Sequence, residues 1–104
     1  MKVNYNQMLK QAQKMQADMA KAQDNLANET VTAKSGGGMV TVVATGQGDL
    51  LSIEINPDAV DPHDVEMLQD MVLVAVNDAI EQARQKQADV MQSATGGMNI
   101  PGLM

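Results

Sequence analysis

The 104-residue chain has one histidine, thirteen acids, seven basic residues and no cysteine, so few side chains are available for chemistry. A general base needs a titratable group held in a pocket that tunes its proton affinity. His63 instead sits between Asp61 and Asp64 at the expected start of a helix, which reads as a solvated terminus. Asp58, Asp61 and Asp64 are the acids best spaced for a hard cation, but the D-x-D-x-D-G loop with a distal glutamate is missing. Gly36-Gly37-Gly38 has neither the GK[ST] ending of a phosphate loop nor a helix after it, so it reads as a hairpin turn. Met8, Met15 and Met19 lie at heptad spacing, which makes them packing surface rather than soft-metal ligands. With no thiol there is no thiolate nucleophile, disulfide or Cys-based metal site. No cofactor, small-molecule substrate or catalytic residue is expected.

Lys10, Lys14 and Lys21 form a different pattern. At about 100° per residue they fall within about 40° of one another on a helix. Such a strip is either a solvated face or a row of contacts for phosphates. Arg84 and Lys86 are the next basic residues along the chain after Lys34. Charge is unevenly spread around a net value of −6. Residues 1–48 carry +2, residues 49–104 carry −8, and between Asp49 and Ala83 there are nine acids and no Lys or Arg. An electrically polar molecule follows, with a mildly basic end and an acidic middle.

The elements that must position the strip are well marked. Asn4 can cap a first helix, with Gln7 at capping-box spacing and Val3 and Met8 at staple positions. Met8, Ala12, Met15, Met19, Ala22 and Leu26 recur at steps of 4, 3, 4, 3 and 4, a narrow heptad seam opposite the lysines, and the helix should end near Asn28. The period then falls to two. Strands are expected over Glu29–Lys34, Met39–Thr45 and Leu51–Ile55, joined by Gly-rich turns as an antiparallel meander. Val40, Val42 and Ala44 share one face of the second strand; Leu51, Ile53 and Ile55 share one face of the third. Asp61 as N-cap with Pro62 behind it announces a second helix running to about Thr95, before Gly96-Gly97.

Tyr5 is the sole aromatic residue, so the core must be thin and built from Val, Ala, Leu, Ile and Met. Residues 71–76 are apolar around nearly the whole helix, more than one small sheet can cover. Leu68, Met71, Val72, Ala75, Val76 and Ala79 are therefore expected to pair with a second subunit. The architecture is α+β: a long helix, a three-stranded antiparallel sheet and a second long helix, as one domain over 1–95 with a Gly/Pro-rich mobile tail over 96–104. The opening residues lack a signal-peptide apolar run and no window approaches a bilayer span, so a soluble, cytoplasmic protein is expected.

Taken in order, MLKQAQKMQADMAKAQ, SGGGMVTVVATGQG, IEINPDAV, MLQDMVLVAVNDAIEQARQK and GGMNIPG resemble the YbaB/EbfC family of bacterial nucleoid-associated proteins. The resemblance spans nearly the whole chain. It implies an intertwined homodimer, non-enzymatic, with the first helices projecting like tweezers. It also implies binding of double-stranded DNA with low sequence specificity, in nucleoid organisation or gene regulation, through Lys10, Lys14, Lys21, Arg84 and Lys86. Gly48-Asp49-Leu50-Leu51-Ser52 departs from the family by having an acid where basic residues are common. The competing expectation is a dimeric protein-interaction module, docking through the Met/Ala seam and the acidic middle.

Overall fold

The computed structural model describes residues 4–96. Helix α1 spans Tyr5–Asn28, and the Asn4 side chain accepts a hydrogen bond from the Gln7 amide at 3.2 Å. Val3, the other half of the expected staple, lies outside the described residues, as do residues 97–104 of the tail. Strands β1 (Thr30–Ser35), β2 (Val40–Thr45) and β3 (Leu50–Ile55) form one antiparallel sheet in the order β1-β2-β3. The first turn is Gly36–Gly38, where all three residues have positive φ between 60° and 95°. A side chain is strained in that region, which is why three glycines stand there. Helix α2 spans Val65–Gly96.

The start of α2 differs from the sequence expectation. Asp61–Asp64 closes a turn, with the Asp64 amide donating to the Asp61 carbonyl at 3.0 Å and the His63 amide to the Asp61 side chain at 2.9 Å. The cap is Asp64, whose carboxylate accepts from the Met67 amide at 3.3 Å. Pro62 suits the second position of a turn as well as the first turn of a helix, because both require φ near −65°.

Ala75, Ala79 and Ala83 of α2 lie fully buried against Val40, Val42 and Ala44 of β2 and Val31 and Ala33 of β1. Alanine at every turn lets the helix backbone sit close to the sheet, and β-branched valines fill the space below. Ser35 Oγ donates to the Met71 carbonyl at 2.6 Å, fixing one end of the helix on β1. Thr30, Thr32, Lys34 and Glu54 occupy the other face of the sheet, which faces solvent.

Among the described residues no element covers β3. Ile53 pairs with Val42 and Ile55 with Val40, so both point to the helix side. Yet every residue of β3 is exposed, Ile53 at 45% and Leu51 at 58%. Helix α2 lies over β1 and β2 only. The register between β2 and β3 also slips between Val43 and Ala44, which leaves Leu51 without a partner of its own.

Helix α2 outruns the sheet, and its last third runs antiparallel to α1. Leu26 is buried at the joint, where its carbonyl and that of Glu29 both accept from the Gly46 amide, at 3.0 and 2.9 Å. Gly46 is obligatory for this approach, since a Cβ there would stand 2.8 Å from the Leu26 carbonyl oxygen. Gln47 Nε2 donates to the Gln23 carbonyl at 2.8 Å and Gln87 Nε2 to the Gly46 carbonyl at 2.9 Å. The two helices thus form an arm leaving one end of the sheet. The radius of gyration is 20.6 Å, against about 13 Å for a compact chain of this length.

Candidate nucleic-acid interface

The seam of α1 is used progressively. Leu26 is buried, Ala22, Met19 and Met15 are half-buried, and Ala12 and Met8 are exposed. Its partner is α2 of the same chain, through Gln87, Val90 and neighbouring residues that flank Leu26 and Ala22. This orientation places the opposite face of α1 in solvent along its whole length, and that face carries Lys10, Lys14 and Lys21. At 1.5 Å per residue the three sit about 6 Å and then about 10 Å apart along the axis. Among the described residues none of the three forms an ion pair. A row of flexible ammonium groups on a projecting rod suits polyanion contact, because each lysine reaches a phosphate as a point charge without needing fixed geometry.

The two basic residues of α2 are placed differently. Arg84 is 72% exposed, at 3.9 Å from Glu81 one turn earlier, a pairing too solvated to hold it. Lys86 is half-buried and reaches Glu29 at 3.5 Å, across the base of the arm. It lines an open cleft of about 700 Å³ between α1 and α2 together with Asp18, Lys21, Glu29 and Asp89. Three acids surround two cations there, so Lys21 at the base of the row shares an acidic setting with Lys86, while Lys10 and Lys14 lie farther out on α1. Spacing alone could not separate Lys86 from Arg84; the difference arises from which face of α2 meets α1.

The acids of the middle do not assemble a site. Asp61 and Asp64 are occupied with backbone amides, and the Asp58 amide donates to the Asn56 side chain at 2.9 Å. Among the described residues no three His or acidic side chains are grouped to hold a metal ion.

The pairing surface also needs redrawing. Ala75 and Ala79 have no exposed surface, being enclosed by the chain's own sheet. Leu68, Met71, Val72 and Val76 pack around that core and keep part of their surface. What sequence reasoning missed is the flank beside β3. Gln87 reaches the β2–β3 turn, and at about 100° per residue Leu73, Val76 and Ile80 lie within about 40° of Gln87 on the helix. That flank therefore looks over Ile53 and Ile55, and Leu73 is 59% exposed. An apolar helix flank beside a bare apolar strand is a step-shaped surface of the kind that marks an interaction site.

The described chain is thus a long helical arm with an outward lysine row on an acidic α+β body with an open apolar step. Known proteins of the same build give it a family. Residues 1–98 match the YbaB/EbfC DNA-binding family, and the chain belongs to it. It is 57% identical over 100 residues to a nucleoid-associated protein of Desulforamulus reducens, covering 96% of this chain and 95% of the relative. It is 55% identical over 100 residues to a nucleoid-associated protein of Thermoanaerobacter pseudethanolicus, covering 96% and 90%. An uncharacterized protein from Helicobacter pylori shares the fold, with a TM-score of 0.77 at 23% identity over 88% of this chain and 97% of that one.

Proposed function

We propose that the chain is a homodimeric nucleoid-associated protein that binds duplex DNA mainly through the phosphate backbone, with low sequence specificity. The observation that carries this reading is the row Lys10, Lys14 and Lys21, exposed along a projecting helix and without ion pairs among the described residues. A lysine ammonium is a mobile point charge rather than a rigid fork, so a row of three suits phosphate contacts, which carry no sequence information directly. Arg84 supplements the row; Lys86 acts through the arm's geometry. Membership of a DNA-binding family and the relatives' names support the same reading, as does a place for the protein at the bacterial nucleoid.

Dimerisation supports it physically. One chain carries a net charge of −6, and a single strip of three lysines is a weak grip against that field. Two chains joined through the open step of Leu51, Ile53, Ile55, Leu73, Val76 and Ile80 present two strips. They also bury the apolar side chains that a single chain leaves wet. The acidic bodies then face away from the duplex, so DNA is admitted only at the arms. The reading assigns no reaction to the chain.

A gel shift on random-sequence duplex, with light scattering on the same sample, tests it. The expected result is a dimer that shifts DNA at low salt and releases it steeply between about 50 and about 200 mM. A protein that leaves duplex unshifted even at about 20 mM salt, where phosphate contacts are strongest, contradicts the reading.

A further inference from the structure

The N-terminal end of helix α1 reaches past the end of the helix that covers it. Val90 of α2 lies level with Asp18–Asn25 of α1, and the two run antiparallel, so the last described residue, Gly96, comes level with about Met15. Beyond that point Tyr5, Met8, Leu9 and Ala12 continue the apolar side of α1 into solvent, Tyr5 at 78% exposure. These four form a patch about 10 Å long, on the side of the helix away from Lys10 and Lys14. Nothing in the DNA-contact reading needs an apolar patch there.

We infer that residues 97–104, GMNIPGLM, run back along this uncovered seam and complete the arm. Three properties of the segment support it. The first is reach. The segment starts where α2 stops, and eight residues extend up to about 26 Å, well beyond the roughly 15 Å from Met15 to Tyr5. The second is chemistry: Met98, Ile100, Pro101, Leu103 and Met104 are apolar, and the segment carries no charged side chain, in a chain where one residue in five is charged. The third is cost. A proline restricts its own φ and narrows the conformations open to the residue before it, so a segment with Pro101 at its centre loses less conformational freedom on docking. Tethering also gives the segment a local concentration in the millimolar range, so a weak contact suffices. The lysine row stays uncovered, because it lies across the helix from the docked segment. The inference is independent of DNA binding and of dimerisation.

The absence of cysteine makes the test clean. A nitroxide is attached to the single thiol of G102C, and the signals of Tyr5, Met8 and Ala12 are followed by NMR in the otherwise intact chain. The expected result is their loss, with Val40 in the distant sheet unaffected, and their recovery when I100D is added to remove the apolar contact. Hydrogen exchange gives the second readout: I100D without the label accelerates the amides of 8–12 and leaves those of β2 unchanged. Signals at Met8 and Ala12 that are equally intense with and without I100D overturn the inference. So does attenuation that appears when labelled, isotope-free chains are mixed with unlabelled, isotope-enriched ones, because it would seat another chain's segment on the seam.

Discussion

The body and the arm of this chain are built on opposite plans. In the body, α2 presses a run of alanines onto β1 and β2, and Val40, Val42 and Ala44 have no exposed surface. The arm is two helices meeting along one seam, with Leu26 as the buried residue of α1 and the lysine face outward. Charge divides the same way, with nine acids and no cation between Asp49 and Ala83, against three lysines in a row on α1. The difference teaches that close packing and exposed cations occupy separate ends of the chain. The body holds its shape by close packing and carries most of the acids; the arm buries little and leaves Lys10, Lys14 and Lys21 exposed.

Substitutions that respect or violate that division separate the two ends. The largest effect is expected in the body. V42D buries a carboxylate without a partner among Ala75, Ala79 and Val31, a cost of about 4 kcal/mol or more, comparable to the whole stability of a small domain. Circular dichroism should show loss of the cooperative thermal transition. I53D sharpens the contrast, because Ile53 shares a face with Val42 yet is exposed. The single chain should keep its fold while light scattering shows monomers; a monomer unfolded like V42D would show that β3 is part of the chain's own core.

G46A acts at the joint. The added methyl meets the Leu26 carbonyl oxygen, which belongs to backbone and has little room to yield. A loss of about 1–3 kcal/mol is expected in denaturant titration, with hydrogen exchange fastest at the end of α1 rather than across the sheet. The smallest effect is D64A, which removes the cap of α2 at its exposed start and should cost about 1 kcal/mol without changing DNA binding.

Much of this was legible in the sequence because the signals were periodic. The heptad seam placed α1 to the residue, and alternating valines placed β2 within one residue of its observed start. Local chemistry was ambiguous where one residue serves two geometries, as Pro62 does, and the start of α2 moved from Asp61 to Asp64. What periodicity cannot give is the sideways position of a helix on a sheet. Alternation puts Leu51, Ile53 and Ile55 on one face of a strand, and the apolar pattern of α2 puts Ala75 and Ala79 among the residues expected to pair with a second subunit. In the structure α2 sits over β1 and β2, so Ala75 and Ala79 are enclosed by the chain's own sheet and β3 is left exposed. The same blindness joined Lys86 to Arg84, which differ in which side of α2 faces α1.

The central claim is that the arm's lysine row is the DNA contact, and the most direct measurement is the salt dependence of duplex binding by K10E/K14E/K21E beside the unaltered chain. All three positions are exposed on α1, so the dimer and its thermal transition should persist. Every phosphate that the protein no longer neutralises lowers the log–log salt slope by about 0.9, so a dimer without its two lysine rows should bind no more tightly than background. A triple variant that keeps both its affinity and its slope would contradict the account.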